Sequence, residues 1–440
     1  MNLRLRCNLC ATEGSSKPVE ARYCQRQRIE KLYQFYRRWP GKLLQNPGKH
    51  LQNKEPNTNP AANAIRACGP HVMVVGLRGF PGVQGGVETH AQNLYPAIAA
   101  AGFRVTAAVR SPYIKGGHPS EWNGVKFVKL WAPRSKYLEA IAHTFLAIMY
   151  AAFHRPDVLH IQAIGPAVLA PLARFFRLRV VVTHHGADYD RQKWGPISKS
   201  VLRFGEALGM RSANKRIAVS RTMQTHVRKK YGLEAAYIPN GVEPSVAPSS
   251  RQALEKFGLA PRKYILTVSR IVPEKRHLDL IDAFTRADLP GWKLVLVGGS
   301  VHSDAYSRSV EDLAAKSRNV VATGFQEGLA LRELYGHAGL FVLPSSHEGL
   351  PIVLLEALSY GLPTLVSDIE PHLEVELPAR HYFRMGDVDA LTLAMKWLAA
   401  IEVSDEWREN LKQWTSRRYN WSTSAQETIA IYRSLIGDWA

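Results

Sequence analysis

Residues 344–368 read PSSHEGLPIVLLEALSYGLPTLVSD, and the fold class follows from them. They come after an apolar run, residues 340–343, with the length and composition of a buried strand. Glu348-Gly349 supplies a turn. Pro351 suits the first position of a helix, where its missing N–H costs nothing. Residues 352–360 continue that helix, and Gly361-Leu362-Pro363 stops it. Thr364, Leu365 and Val366 open another strand. Strand, turn, helix, strand is one βαβ unit of a parallel sheet, so the chain is of the α/β class.

Two carboxylates in this stretch, Glu348 and Glu356, have seven residues between them. Glu348 stands at the mouth of the helix, near free N–H groups. Glu356 lies two turns in, among Val353, Leu354, Leu355, Ala357 and Leu358, and a carboxylate on so apolar a helix needs a partner. One reading is a capping glutamate plus a glutamate paired to a neighbouring Arg or Lys. The other is a pair of acceptors for sugar and ribose hydroxyls at the carboxyl ends of the strands, where open α/β sheets bind ligands. The helix N-terminus would then suit a phosphate.

Upstream, residues 264–268 read as a strand followed by Ser269-Arg270-Ile271-Val272-Pro273-Glu274-Lys275-Arg276-His277. Arg270 and Lys275 can both reach one diphosphate, the Arg as a fork and the Lys as a point charge; surface ion pairing is the plainer use. Further back, the strand 71–76 runs into RGFPGVQGGVETH, residues 78–90, and then a helix to about residue 101. Glycines between strand and helix, here Gly85 and Gly86, let backbone N–H groups approach a phosphate; a tight turn alone also explains them. Residues 180–183 form a buried strand ending in His184-His185-Gly186. A histidine pair there suggests a metal, but no third ligand stands at suitable spacing. Asp188-Tyr189-Asp190 reads as a loop which, with Lys193 and Trp194, would shape an acceptor cleft. Residues 199–230 form two helical stretches rich in Lys and Arg, either a solvated face or a surface for anionic head groups.

The totals bound these readings. At 440 residues two domains are expected, and 46% hydrophobic residues suffice for two cores. Net charge is +20, of which residues 1–69 carry +9 and the remainder +11. Such a balance favours anionic partners. No zinc-finger spacing, RNA-binding aromatic signature or basic zipper is present, so nucleic acid is not expected as a partner. All four cysteines (Cys7, Cys10, Cys24, Cys68) precede residue 70, which excludes cysteine catalysis and disulfides from the body. Cys7 and Cys10 lack a second pair to complete a zinc site. The apolar run 140–153 is too short to span a bilayer and contains His143. No secretory signal is visible, so a cytoplasmic protein is expected. Residues 1–69, with Tyr33, Tyr36 and Trp39 among basic residues, read as a mostly disordered extension suited to a membrane surface.

The stretch from Glu348 to Glu356 resembles the E-x7-E signature of retaining, nucleotide-sugar-dependent glycosyltransferases of family 4, which have the GT-B fold. The glycine loop resembles that family's N-terminal GGxE loop, and residues 269–277 its GR-x5-KG motif, with Ser269 and Arg276 where glycines are usual. Tyr419-Asn420-Trp421-Ser422 resembles its closing segment, whose helix crosses back to the first domain. The resemblance covers about residues 71–437. It implies two doubly wound Rossmann-like domains facing a cleft: 70–242 on the acceptor side, a linker at 243–260, a nucleotide-sugar-binding domain at 261–418, and a returning helix at 419–440. It implies donor binding by Gly85, Gly86, Arg270, Lys275, Glu348, Gly349, Leu350 and Glu356. His185, Glu348, Arg270 and Lys275 would be catalytic, with His185 touching the donor sugar near its reacting carbon.

The activity so implied is transfer of a hexose from a nucleotide-diphosphate sugar to a saccharide, expected to be lipid-linked, in capsule, exopolysaccharide or O-antigen synthesis. Front-face displacement would retain configuration, the leaving diphosphate helping to deprotonate the acceptor. No cofactor or metal is expected, because two cations and a helix N-terminus replace it. The expected place is the inner face of the plasma membrane, as a peripheral protein. A sugar-nucleotide epimerase of the same fold and an inactive glycan- or membrane-binding scaffold are the alternatives.

Overall fold

The computed structural model describes residues 69–437 apart from 115–117, 136–137, 188, 190–194 and 301–303. The readings placed on residues 1–68, on Asp188 and Asp190, and on Lys193 and Trp194 lie outside the described residues. Two parallel-sheet α/β domains form the rest. The first sheet holds β1 (His71–Val75), β2 (Arg104–Arg110), β3 (Glu121–Trp122), β4 (Val125–Leu130), β5 (Val158–Gln162), β6 (Val180–His184), β7 (Lys215–Ala218) and β8 (Ala236–Tyr237). Their order is β3-β4-β2-β1-β5-β6-β7-β8, parallel throughout except for the short β3–β4 pair. The second holds β9 (Tyr264–Val268), β10 (Lys293–Val297), β11 (Val320–Gly324), β12 (Leu340–Leu343), β13 (Thr364–Ser367) and β14 (Tyr382–Phe383), in the order β11-β10-β9-β12-β13-β14.

The apolar runs that marked these strands have a direct cause. Successive side chains point to opposite faces, and in a doubly wound sheet both faces are covered by helices. In β1, Val72 and Val74 enter one core while Met73 and Val75 enter the other. In β12, Phe341 and Leu343 go to one side and Leu340 and Val342 to the other. A βα turn then delivers each strand's carboxyl end to the cleft, and that end carries the chemistry.

One element differs from the sequence reading. The expected linker contains the helix Gln252–Phe257. It buries Ala253 and Leu254 in the second-domain core, and the Ala253 N–H donates to Glu333 Oε2 at 2.7 Å.

The chain returns to the first domain at its end. Asn420 caps the helix Trp421–Ile436, its Oδ1 accepting from the N–H groups of Ser422 (2.7 Å) and Thr423 (3.3 Å). Trp421, Ala425, Ile429 and Tyr432 share one face and enter the core behind the helix Gly86–Ala100. At about 1.5–3 kcal/mol for each large apolar side chain removed from water, that face suffices to hold the crossing. The outgoing and returning segments pair side by side, Val242 with Asn420.

Candidate active site

The glycine-rich loop is fixed by an ion pair. Arg78 grips Glu88 through its backbone N–H (3.2 Å), Nε (3.1 Å) and Nη2 (2.8 Å), and donates also to the Gln84 carbonyl at 2.8 Å. Gly85 sits under this clasp at φ 157°, where a Cβ would overlap Glu88 Oε2 and Arg78 Nη2, so only glycine fits. Gly86 is exposed, and a side chain there would meet open space. Across the cleft, Gln84 lies against Gly298 and Gly82 against Glu327.

On the second domain Lys275 and Glu348 form a buried ion pair, 12% and 11% exposed, with Ser345 Oγ donating to Glu348 Oε1 at 2.7 Å. Burial works to raise the Glu348 carboxyl, but the Lys275 ammonium, aided by His372 and Ser345, outweighs it and holds the group below its usual range. Arg270, two residues beyond β9, is partly buried. The two departures from the glycine pattern are accommodated. Arg276 takes the left-handed conformation a glycine would supply, φ 50° and ψ 42°, and its guanidinium is pinned to Asp279. Ser269 turns its hydroxyl to His277 Nε2 at 2.9 Å.

Glu356 lies on the helix Ile352–Ser359. The partner found for it is a hydroxyl, Tyr335 Oη at 2.9 Å, not the Arg or Lys of the plainer sequence reading. Burial pushes its carboxyl up to about 7, the Tyr335 hydrogen bond opposing.

The two domains touch at Gly349. A Cβ there would overlap the carbonyl oxygen of His185, and the Gly349 backbone also faces Gly186. His185 is thus brought beside the Glu348 loop. Its Nε2 lies 2.5 Å from Gln162 Oε1, and its ring meets the edge of His90 at 4.7 Å. Burial, with His90, His160 and His184 adding, holds it well below the ordinary histidine value, so it is neutral. His90 Nδ1 lies 2.9 Å from Asn240 Oδ1, and Asn240 Nδ2 donates to the Leu350 carbonyl at 2.8 Å. Asn240 thereby ties the first domain to the loop carrying Gly349 and Leu350.

His184 has a different task, and here the expectation of no nearby third ligand is corrected. Glu206 and His226, from helices Pro196–Ser212 and Arg221–Tyr231, lie beside it. Glu206 Oε1 is 2.8 Å from His184 Nε2 and 3.0 Å from His226 Nε2, while Oε2 accepts from Lys230 Nζ (2.7 Å) and Tyr231 Oη (2.6 Å). Burial opposes the charge of Glu206, but these donors hold its carboxyl far below normal. His184 Nδ1 accepts the Gly186 N–H at 3.2 Å, so Nε2 carries the proton that Glu206 receives. A metal would have to displace both that proton and the Lys230 ammonium. The cluster reads as an ion-paired anchor for the His185-Gly186 turn.

Gln162, Asn240, Glu206, His226 and Tyr335 were not singled out from the sequence. Each is a common residue whose partner lies far away in the chain, and no local pattern marks it. The basic stretch 199–230 is largely engaged within the fold. Arg203, Arg211 and Arg221 lie over the rings of Tyr189, Tyr231 and Tyr237, and Arg216 donates to the Met210 and Ala213 carbonyls. Val201 and Phe204 on the same helix are exposed, 46% and 62%.

Two doubly wound domains, meeting where the loop of the Lys275–Glu348 pair abuts a neutral histidine, have the architecture of the GT-B glycosyltransferases. The family models agree: "Glycosyltransferase Family 4" matches residues 84–246 and "Glycosyl transferases group 1" residues 250–416. A GDP-mannose-dependent alpha-(1-6)-phosphatidylinositol monomannoside mannosyltransferase of Mycolicibacterium smegmatis is 30% identical over 271 residues, 56% of this chain and 68% of that protein. An amylovoran biosynthesis glycosyltransferase of Erwinia amylovora is 23% identical over 229 residues, 51% of this chain and 62% of that one. The chain thus spans about two thirds of the length of these relatives. Among solved structures, the sucrose-phosphate synthase of Thermosynechococcus elongatus superposes with a TM-score of 0.71 at 20% identity, covering 83% of this chain and 99% of that one. The chain belongs to the family 4 glycosyltransferases.

Proposed function

We propose that this glycosyltransferase moves a hexose from a nucleotide-diphosphate sugar to a saccharide acceptor, lipid-linked and at a membrane surface, with retention of configuration. The observation that carries the reading is the junction at Gly349. There the loop of the Lys275–Glu348 pair on one domain meets the His185 carbonyl and Gly186 of the other. Lys275 and Arg270 would receive the diphosphate, Glu356 the ribose, and His185 the sugar. The bond from the anomeric carbon to the diphosphate breaks, and a bond to the acceptor oxygen forms on the same face. The acceptor's proton passes to the departing phosphate oxygen. The protein's part is to stabilise charge growing on that phosphate, through the two cations and the backbone near Gly349 and Gly86. No metal enters this scheme, so activity survives EDTA.

The names of the relatives support this reading without choosing a donor: one is GDP-mannose-dependent, and the other acts in amylovoran biosynthesis. No helix among the described residues is long and apolar enough to cross a membrane, and the exposed Val201 and Phe204 would supply surface contact instead. The test is a panel of nucleotide sugars, each assayed for nucleotide release with and without a lipid-linked saccharide, the product's anomeric configuration being read by NMR. Acceptor-dependent release with retention is expected. Release indifferent to acceptor would favour the epimerase, and an inverted product would refute the mechanism.

A further inference from the structure

We propose that Gln162 is a positioning residue for the transfer reaction: its side-chain oxygen holds the His185 proton on Nε2 and leaves Nδ1 as the ring's hydrogen-bond acceptor. This rests on the reading that His185 meets the donor sugar. Gln162 is the last residue of β5, fully buried, beside the end of β6 that delivers His185. Its amide orientation is set from behind. Gln162 Nε2 donates to the hydroxyl of Tyr95, on the helix Gly86–Ala100. That hydroxyl lies 3.0 Å from His160 Nδ1, which Tyr432 Oη also approaches at 2.6 Å, and His160 Nε2 lies 2.7 Å from Thr183 Oγ1.

The nitrogen end of the amide is turned to Tyr95, and the oxygen end faces His185 Nε2 at 2.5 Å. An amide oxygen only accepts, so Nε2 carries the hydrogen. The groups around the ring supply no second proton. His90, edge-on at 4.7 Å, is engaged by Asn240, and His160 is neutral within the relay. Glu348, whose loop abuts the His185 carbonyl, is paired with Lys275, and Glu206 faces His184. A neutral ring with its hydrogen on Nε2 can accept from a sugar hydroxyl at Nδ1 but cannot act as an acid there. The relay also makes Tyr432, on the returning helix, part of what orients the site.

The test uses the full chain labelled with ¹⁵N-histidine, the His185 ring nitrogens being assigned by their loss in His185→Gln. Wild type should show the Nε2–H tautomer from pH 6 to 8. Gln162→Glu keeps an acceptor on Nε2 but stabilises the imidazolium, so His185 should protonate and kcat should fall as pH drops below about 7, a limb absent in wild type. If that buried carboxylate impairs folding, Tyr95→Phe serves: it frees the Gln162 amide, mixes the tautomers, and lowers kcat about fivefold with donor KM nearly unchanged, the equivalent of one neutral hydrogen bond. A hydrogen on Nδ1 in wild type, or unchanged tautomers in both variants, overturns the proposal alone. Full activity in His185→Gln sinks the sugar-contact reading, and this role with it.

Discussion

Replacing Lys275 with alanine should be more damaging to the fold than loss of a surface lysine, and the damage should depend on pH in a defined direction. Lys275 and Glu348 are 12% and 11% exposed. Without the ammonium, Glu348 keeps Ser345 Oγ at 2.7 Å but remains a buried, uncompensated charge. Breaking such a pair costs about 3–5 kcal/mol. In a domain of this size 1 kcal/mol moves the melting temperature by about 2–4 °C, so a fall of roughly 6–20 °C is expected at pH 7.5. In wild type the folded carboxyl sits below its usual value, so its contribution is present above the unfolded pKa and lost as pH falls through the folded one. In the variant burial acts unopposed and raises the carboxyl. Acidification then lets Glu348 take up a proton and become neutral, and the gap to wild type should narrow from pH 7.5 to pH 5. Scanning calorimetry at both values gives the answer. Glu348→Gln added to Lys275→Ala should recover much of the loss, a coupling the double-mutant cycle reads directly. An unchanged melting temperature at pH 7.5, or a gap that widens in acid, would refute the argument.

Arg270→Ala should lose about 2–4 kcal/mol of transition-state stabilisation in kcat/KM, and steady-state kinetics at unchanged activity would remove Arg270 from the phosphate clamp. Glu356, raised to about 7, should ionise as ribose hydroxyls bind, so nucleotide binding at pH 6.5 should release a proton and tighten toward pH 8. Calorimetry in buffers of different ionisation enthalpy measures that proton, and Glu356→Gln should abolish it. Binding to anionic vesicles should weaken with salt, because each Lys or Arg near the surface contributes about 1 kcal/mol. Phe204→Ser should reduce flotation about tenfold, and equal flotation with neutral lipid would leave the basic stretch a solvated face.

What the sequence made legible was what the local pattern records. The βαβ unit at residues 340–367 was readable because both faces of its strands are buried, so the apolar runs are continuous. The helix Trp421–Ile436 lies inside the segment 419–440 that the resemblance marked, and its asparagine cap sets where it begins. The helix Gln252–Phe257 was missed because prolines and serines precede it and it makes its contact with Glu333, far along the chain. The same limit hid the supports of the site. Gln162 serves a residue 23 positions away, and Asn240 reaches across 110 to Leu350. Glu356 was visible as a buried acid in need of a partner, but whether that partner was a cation or a hydroxyl depended on where Tyr335 packs.

The division of labour between the domains follows from where these supports lie. The cations, Glu348 and Glu356 stand on the second domain, while the groups that orient His185 stand on the first, together with Tyr432 of the returning helix. The described chain passes between the domains at Val242 and Asn420, and those residues pair. A rotation about that double crossing would draw Gly349 away from the His185 carbonyl and Leu350 away from Asn240, yet carry the relay from Gln162 to Tyr432 along intact. Closing would then set an already ordered histidine against an already charged loop. The orientation of His185 would be settled before a donor arrives, leaving Asn240, the glycine backbones and the Glu374 carboxylate that accepts from Arg221 and Thr222 among the contacts remade at each closure.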